Sequence, residues 1–437
     1  MNETRPSRLG RVLRRLAPIE PHETPAVVAA FCLFFCVMGG YFAVRPVRET
    51  VGTLLGRERV ADLFVVTWVA SLAIVPLYGV IVARFRRSIF LPWTYGTVAL
   101  ALALIGVALR GDGIDILVGQ FFYVFISVLN LFLISMFWSF LLELFDSGQT
   151  KRLFGVIAAG GTAGALIGPL IADLSVAHIG NSGVLFVGAS LFACAIAAQR
   201  VLLTIWHERS PAAVPAARER PIGGNPFSGF TLVLKSPYLL GIALFVVLLA
   251  TVNTLLYFEQ LRLVEAAFSD PTERTRVFAR LDWIVQSLTI LSQLFLTGRI
   301  AARFGVTALL TIVPLAMVFG FLSLAISGTF AVLAVVFVLR RACEYAFVRP
   351  GREMLYAPLT NEIKYKAKNV NDVPVYRGAD ALAAQVNNAV VSAGFGAAVV
   401  AMLGVGVAAA WSLVGWWLGR RFEANAASAA QPVTIRS

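Results

Sequence analysis

From residue 26 to residue 419 the chain is a near-continuous succession of apolar runs of membrane-spanning length. About 20 apolar residues in a row have one common destination, a helix across a bilayer, because a helix satisfies its backbone N–H and C=O groups internally. The runs lie near 26–44, 61–83, 89–109, 114–145, 153–175 and 181–205, then near 237–261, 277–300, 305–327, 329–359, 374–396 and 398–419. Six runs, a polar break over 206–236 rich in Arg, Pro and Ala, and six more predict an all-α membrane protein. The expected architecture is twelve transmembrane helices in two pseudo-symmetric six-helix bundles. The expected division is a basic tail (1–25), a first bundle (26–205), a linker (206–236), a second bundle (237–420) and a tail (421–437).

Charge patterning sets the orientation. Only 14% of residues are charged, against about 25% in soluble domains, and the net charge is +13. In a soluble chain that excess would suggest nucleic acid; among apolar runs it marks cytoplasmic loops, which collect Lys and Arg. No nucleic-acid partner is expected. Arg5, Arg8, Arg11, Arg14 and Arg15 hold the N-terminus in the cytoplasm, and no small-residue cleavage site follows the first run. The chain is predicted to lie in a bacterial inner membrane with both termini on the cytoplasmic side. Arg45, Arg48, Arg57 and Arg59 break the rule, since they fall at the outer end of the first run. They need another reason to be there.

That reason starts with a repeated motif. Tyr41–Glu49 reads YFAVRPVRE and Tyr345–Glu353 reads YAFVRPGRE, so Y-x-x-V-R-P-x-R-E occurs once in each half. Internal similarity at equivalent ends of apolar runs points to a repeat-built transporter with its site where the repeats meet. Arg45 and Glu49, like Arg349 and Glu353, stand at i and i+4, where they can pair. This arithmetic leaves Arg48 and Arg352 without a local partner, and Arg340, Arg341 and Glu344 add one further positive charge. Guanidinium keeps its charge and grips phosphate or carboxylate with two parallel hydrogen bonds. The candidate anion-binding set is therefore Arg45, Arg48, Arg340, Arg341, Arg349 and Arg352, with Tyr41 and Tyr345 available to stack on a base.

Acids and remaining cations supply candidate gates: Glu49, Glu353, Asp282, Arg377, Asp380 and Lys366. Asp282 and Asp380 are plausible partners for unpaired arginines; a static salt bridge is the competing reading. The arginines themselves have a competing role as anchors to lipid head groups. The four cysteines, at 32, 36, 194 and 343, lie inside apolar runs and read as packing. With three histidines, no H-E-x-x-H and no phosphate-cradling loop, no metal, cofactor or enzymatic centre is expected. In the fifth run Gly160, Gly164 and Gly168 are spaced by four, which allows close helix approach. The same stretch resembles a G-x-x-x-G-P motif of antiporters in the major facilitator superfamily, so packing and an exchange role both stand.

The 345–380 stretch resembles the nucleotide (ADP/ATP) translocase family of plastids and obligate intracellular bacteria. The family's P-x-K-E-M-x-Y-x-P-L segment reads Pro350-Gly-Arg352-Glu353-Met354-Leu-Tyr356-Ala-Pro358-Leu359 here, followed by Lys364, Lys366 and Lys368, then Asp372-Val373. The family's R-x-x-K-D reads Arg45-x-x-Arg48-Glu49, and the Phe137–Phe140 and Lys151–Gly155 stretches agree as well. The start of the eleventh run, Tyr376-Arg377-Gly378-Ala-Asp380, looks like members from free-living bacteria. Two family lysines are arginines here, Arg48 and Arg352, and no acid occurs from Gln120 to Leu142, where the family places one. The resemblance implies a monomeric major-facilitator-type carrier moving a nucleotide or other phosphorylated anion by exchange. The alternative cargo is a carboxylate-rich metabolite such as a siderophore, exported with protons.

Overall fold

A computed structural model of the chain describes residues 19–84, 87–110, 115–209 and 228–430. The arginines of the basic tail, Phe85 and Arg86 of the turn after the second run, and most of the linker lie outside the described residues. Every regular element among those described is helical: α1 (Thr24–Leu55), α2 (Arg57–Arg84), α3 (Arg87–Ala108), α4 (Ile116–Leu144), α5 (Ser147–Arg209), α6 (Ser228–Lys235) and α7 (Pro237–Ala267). There follow α8 (Pro271–Ser292), α9 (Gly298–Ser327), α10 (Phe330–Cys343), α11 (Arg349–Leu355), α12 (Asn361–Val370), α13 (Tyr376–Ser392) and α14 (Ala397–Ala430). Three π turns interrupt the second half, at Gln293–Thr297, Glu344–Val348 and Asn371–Val375.

Local chemistry sets the boundaries. Asp115 caps α4, its Oδ1 accepting the N–H groups of Leu117 at 2.7 Å and Val118 at 3.3 Å. Ser236 does the same for α7, with Pro237 at the first helical position, where a missing N–H costs nothing. Gly328 closes α9 at φ 56°, its N–H returning to Leu324 C=O. Gly180, at φ 66°, breaks the 63-residue α5 into two arms.

Among the described residues seven stretches are long and apolar enough to cross a membrane. One of them, Arg152–Trp206, is 55 residues long, and about 20 suffice for one crossing. Bent at Gly180, it accommodates the fifth and sixth apolar runs. The runs near 61–83, 277–300, 329–359 and 374–396 fall outside these stretches. The last three of those meet the π turns and much of the buried charge.

The chain forms two compact units, and each draws on both halves of the sequence. Unit 1 comprises Met1–Val51, Ile74–Pro221 and Asp270–Trp283. Its centre is the approach of α1 to the first arm of α5. Gly160, Gly164 and Gly168 lie directly against the backbone carbonyls of Phe31, Phe35 and Gly39, a ladder of fours on both helices. Beside it Phe34 stacks on Phe137, centroids 3.9 Å apart. Close packing therefore accounts for these glycines, as small residues at helix contacts usually do.

Unit 2 comprises Gly52–Ala73, Ile222–Ser269 and Ile284–Ser437. Its core gathers Phe245, Leu249, Leu310, Phe321, Tyr356 and Trp411. Tyr356 buries its ring and bonds Asn371 through its hydroxyl at 2.9 Å, joining the two sides of the basic loop.

Candidate functional site

The two copies of the repeated motif fold differently, and the cause is local. In the first copy α1 runs straight through Pro46, and Arg45 Nε reaches Glu49 at 3.5 Å as the i, i+4 spacing predicts. In the second copy a π turn precedes Arg349, and Glu344 stands where the first copy has Gly40. Arg349 Nε therefore turns back to Glu344 at 3.5 Å, and Glu353 is taken by Lys368 at 2.7 Å. The expected Arg349–Glu353 pair is replaced by these two.

Both arginines expected to lack a local partner have one. Arg48 Nη2 lies 2.5 Å from Glu49, its Nη1 donates to Ser127 Oγ at 3.0 Å, and its guanidinium carbon sits 5.2 Å from the Tyr123 ring. Glu49 thus bridges Arg45 and Arg48, and Arg45 Nη1 also reaches Asp282 at 3.5 Å. Arg352 Nη2 lies 3.1 Å from Asp372. Assigning one acid to one arginine overlooks that Glu49 serves both Arg45 and Arg48, and counting within a motif overlooks Asp372, which lies outside it. An arginine buried in low dielectric seeks such a partner.

Unit 2 holds the denser charged cluster. Arg340 and Arg341 are both buried, with Phe337 under both guanidinium groups at 5.7 and 5.2 Å. Arg340 Nη1 donates to Glu344 at 2.8 Å and to Asn253 Oδ1. Asn253 Nδ2 in turn donates to the Tyr376 hydroxyl at 2.9 Å. Arg349 lies over the Tyr345 ring at 4.3 Å, so that ring face carries a cation. Asp380 accepts from Thr254 at 2.9 Å and lies 3.5 Å from Arg377. Lys366 is half-buried on α12, two residues before the lysine that holds Glu353. Tyr41 is buried in unit 1, edge-on to Phe42 at 5.2 Å.

Sequence reasoning missed a second cluster in unit 1. Asp173, a buried acid in the fifth apolar run, accepts from Arg276 Nε at 3.3 Å, Arg280 Nε at 3.1 Å and Trp283 Nε1 at 3.1 Å. Thr50 Oγ1 meets Thr275 Oγ1 at 2.6 Å nearby in sequence. The signal was available, because a lone acid in a membrane run needs a partner. Asn253 and Thr254 in the seventh run carried the same kind of signal.

One group among the described residues, Glu20, His22 and Glu23, brings three possible metal-ligating atoms within 4.8 Å. Glu23 is already engaged by Arg152 at 2.8 Å and Gln149 at 3.2 Å, which argues for a structural contact.

Comparison with known proteins agrees with this geometry. Residues 224–422 match the profile of the TLC ATP/ADP transporter family. ADP,ATP carrier protein 1 of Chlamydia trachomatis serovar D is 24% identical over 445 residues, covering 86% of this chain and 84% of that one. Its counterpart from Chlamydia muridarum matches equally, at 24% identity. Among solved structures, the nucleoside transporter NupG superposes with a TM-score of 0.63 at 15% identity, over 91% of this chain and 99% of that one. A bacterial homologue of the iron transporter ferroportin gives a TM-score of 0.65 at 11% identity, over 90% and 98%. The later half of the chain thus resembles the TLC ATP/ADP transporter family, and the chain shares the all-helical, major-facilitator-like fold of these solved transporters.

Proposed function

We propose that this carrier exchanges a nucleotide or a closely related phosphorylated anion across the bacterial inner membrane by alternating access. Twelve helices in two pseudo-symmetric six-helix bundles, with both termini cytoplasmic, form the proposed frame, and membership of the TLC ATP/ADP transporter family, in its free-living bacterial branch, is part of the proposal. The observation that carries the reading is the pairing of the second motif copy, in which Arg349 and Arg352 are each held by an internal acid, Glu344 and Asp372.

Those acids act as placeholders. A guanidinium without an anion is costly at membrane depth, so an empty site needs internal carboxylates. Phosphate offers more oxygen atoms and more charge than one carboxylate and accepts both N–H bonds of the fork. Arriving substrate displaces Asp372 from Arg352 and Glu344 from Arg349, and Lys368 and Arg340 are at hand to receive charge released on that side. Departing substrate restores the internal pairs. A carrier that re-pairs only slowly when empty favours exchange over net flux. In unit 1, Glu49 between Arg45 and Arg48 is proposed to play the same part.

Proteoliposomes loaded with unlabelled ATP or ADP test this. Labelled nucleotide enters in exchange, and Arg352→Ala lowers uptake at least about tenfold, with Arg352→Lys intermediate because the bidentate grip is lost. Absence of exchange with every nucleotide tried rejects the cargo. The buried carboxylates Asp380 and Glu344 support a second reading, proton-driven export of a carboxylate-rich metabolite, since guanidinium binds carboxylate as well. An accumulating metabolite in a deletion strain would favour it.

A further inference from the structure

A groove of about 410 Å³ on unit 2 lies between the start of α7 and the middle of α14, walled by Leu240, Gly241 and Leu244 on one side and Leu413, Val414 and Trp417 on the other. Pro237 completes the lining at the first position of α7. Gly241 makes the groove possible, because the Trp417 ring rests on its backbone where any side chain would stand.

At one end the groove turns basic. The Arg421 guanidinium lies 5.2 Å from the Trp417 ring centroid, on a residue that forms the wall, and Arg420 lies 5.8 Å from Trp416. Lys235, two residues before Pro237, is exposed on the same approach to α7. The carboxylate in that turn, Glu423, is engaged by the Thr307 N–H at 3.2 Å and so offsets the arginines only partly. An apolar trough ending in a tryptophan and two exposed arginines matches one ligand chemistry, a hydrocarbon chain with an anionic head.

We propose that this groove binds an anionic phospholipid, with an acyl chain along Leu240, Leu244 and Leu413 and the phosphate held by Arg421 and Arg420. It differs from ordinary lipid-facing surface in being recessed at a glycine and in carrying a cation, Arg421, directly on its wall, with Arg420 next to it in sequence. The inference depends only on the chain spanning a membrane and is independent of what is transported.

Native mass spectrometry of the full-length protein in detergent tests it, titrating phosphatidylglycerol against phosphatidylcholine of the same chain length. One phosphatidylglycerol is expected to bind about ten- to thirtyfold tighter than phosphatidylcholine, from two interfacial arginines. Arg420→Gln with Arg421→Gln should reduce phosphatidylglycerol to the phosphatidylcholine level. Leu413→Trp, which fills the trough without touching charge, should weaken the phosphatidylglycerol adduct while the lipid-free melting temperature stays within a few degrees. Equal binding of the two lipids by the unsubstituted protein overturns the proposal. So does a preference that survives the double arginine substitution, or one indifferent to the filled trough.

Discussion

Arg280 Nε lies 3.1 Å from one oxygen of Asp173 and 3.3 Å from the other, across 107 residues of chain. The same carboxylate also accepts from Arg276 and Trp283, so three donors share one buried acid. Arg276 and Arg280 are themselves about half exposed, at 45% and 51%, which weakens each pair by solvent screening. Asp173→Ala is expected to cost roughly 1–3 kcal/mol, because all three donors lose their acceptor together. Arg276→Ala alone should cost under about 1 kcal/mol, since Arg280 and Trp283 remain. Thermal unfolding in detergent, read for both variants, separates these outcomes.

The glycine ladder gives a steric prediction. A Cβ at Gly164 would collide with the Phe35 carbonyl and with the Gly39 nitrogen, and both are backbone atoms that cannot swing aside. Gly164→Val should destabilise by about 1–3 kcal/mol or more through forced helix separation. At Gly155, where nothing lies within 4 Å, the corresponding substitution by Ala should be near neutral or mildly stabilising. Paired melting curves of the two variants check the contrast.

Glu23, just ahead of α1, gives a pH prediction. Burial pushes its carboxyl up, but the Glu20 N–H together with Arg152 and Gln149 outweighs that and holds it below its ordinary value of 4.5. A depressed carboxylate contributes stability that is fully present above its unfolded value and is lost as pH falls through the folded one. The unsubstituted protein should therefore melt above Glu23→Gln at pH 7, and the gap should close below about pH 4.5. Melting temperatures of both proteins between pH 7 and pH 3.5 provide the measurement.

The buried pair in unit 2 should behave asymmetrically. Arg340 and Glu344 are 2.8 Å apart and nearly inaccessible, so removing Arg340 leaves the buried Glu344 only its longer contact to Arg349 at 3.5 Å. Arg340→Met alone is expected to cost roughly 3–5 kcal/mol, and Arg340→Met with Glu344→Gln less than the sum of the single changes. A double-mutant cycle on thermal unfolding measures the coupling, and strict additivity would contradict the pairing.

Much of the frame was legible in the sequence and most of the pairing was not. Apolar runs announce membrane helices because hydrocarbon admits little else, and the repeated R-P-x-R-E marked one charged cluster in each unit. Partner choice was hidden. Arg48 reaches Ser127 and Arg352 reaches Asp372 through contacts that no spacing rule within the motif encodes. The π turn at Glu344–Val348 has no simple signature either, yet it redirects Arg349 from Glu353 to Glu344. Asp173 was legible in principle, as an acid within an apolar run whose partners turn out to be two arginines and a tryptophan of a later helix.

The membership of the two compact units has a practical corollary. Gly52–Ala73 packs with the later part of the chain and Asp270–Trp283 with the earlier part. A cut in the linker would leave each fragment missing a piece that its own core requires. Either fragment made alone should be degraded, whereas both made in one cell should accumulate by mutual complementation.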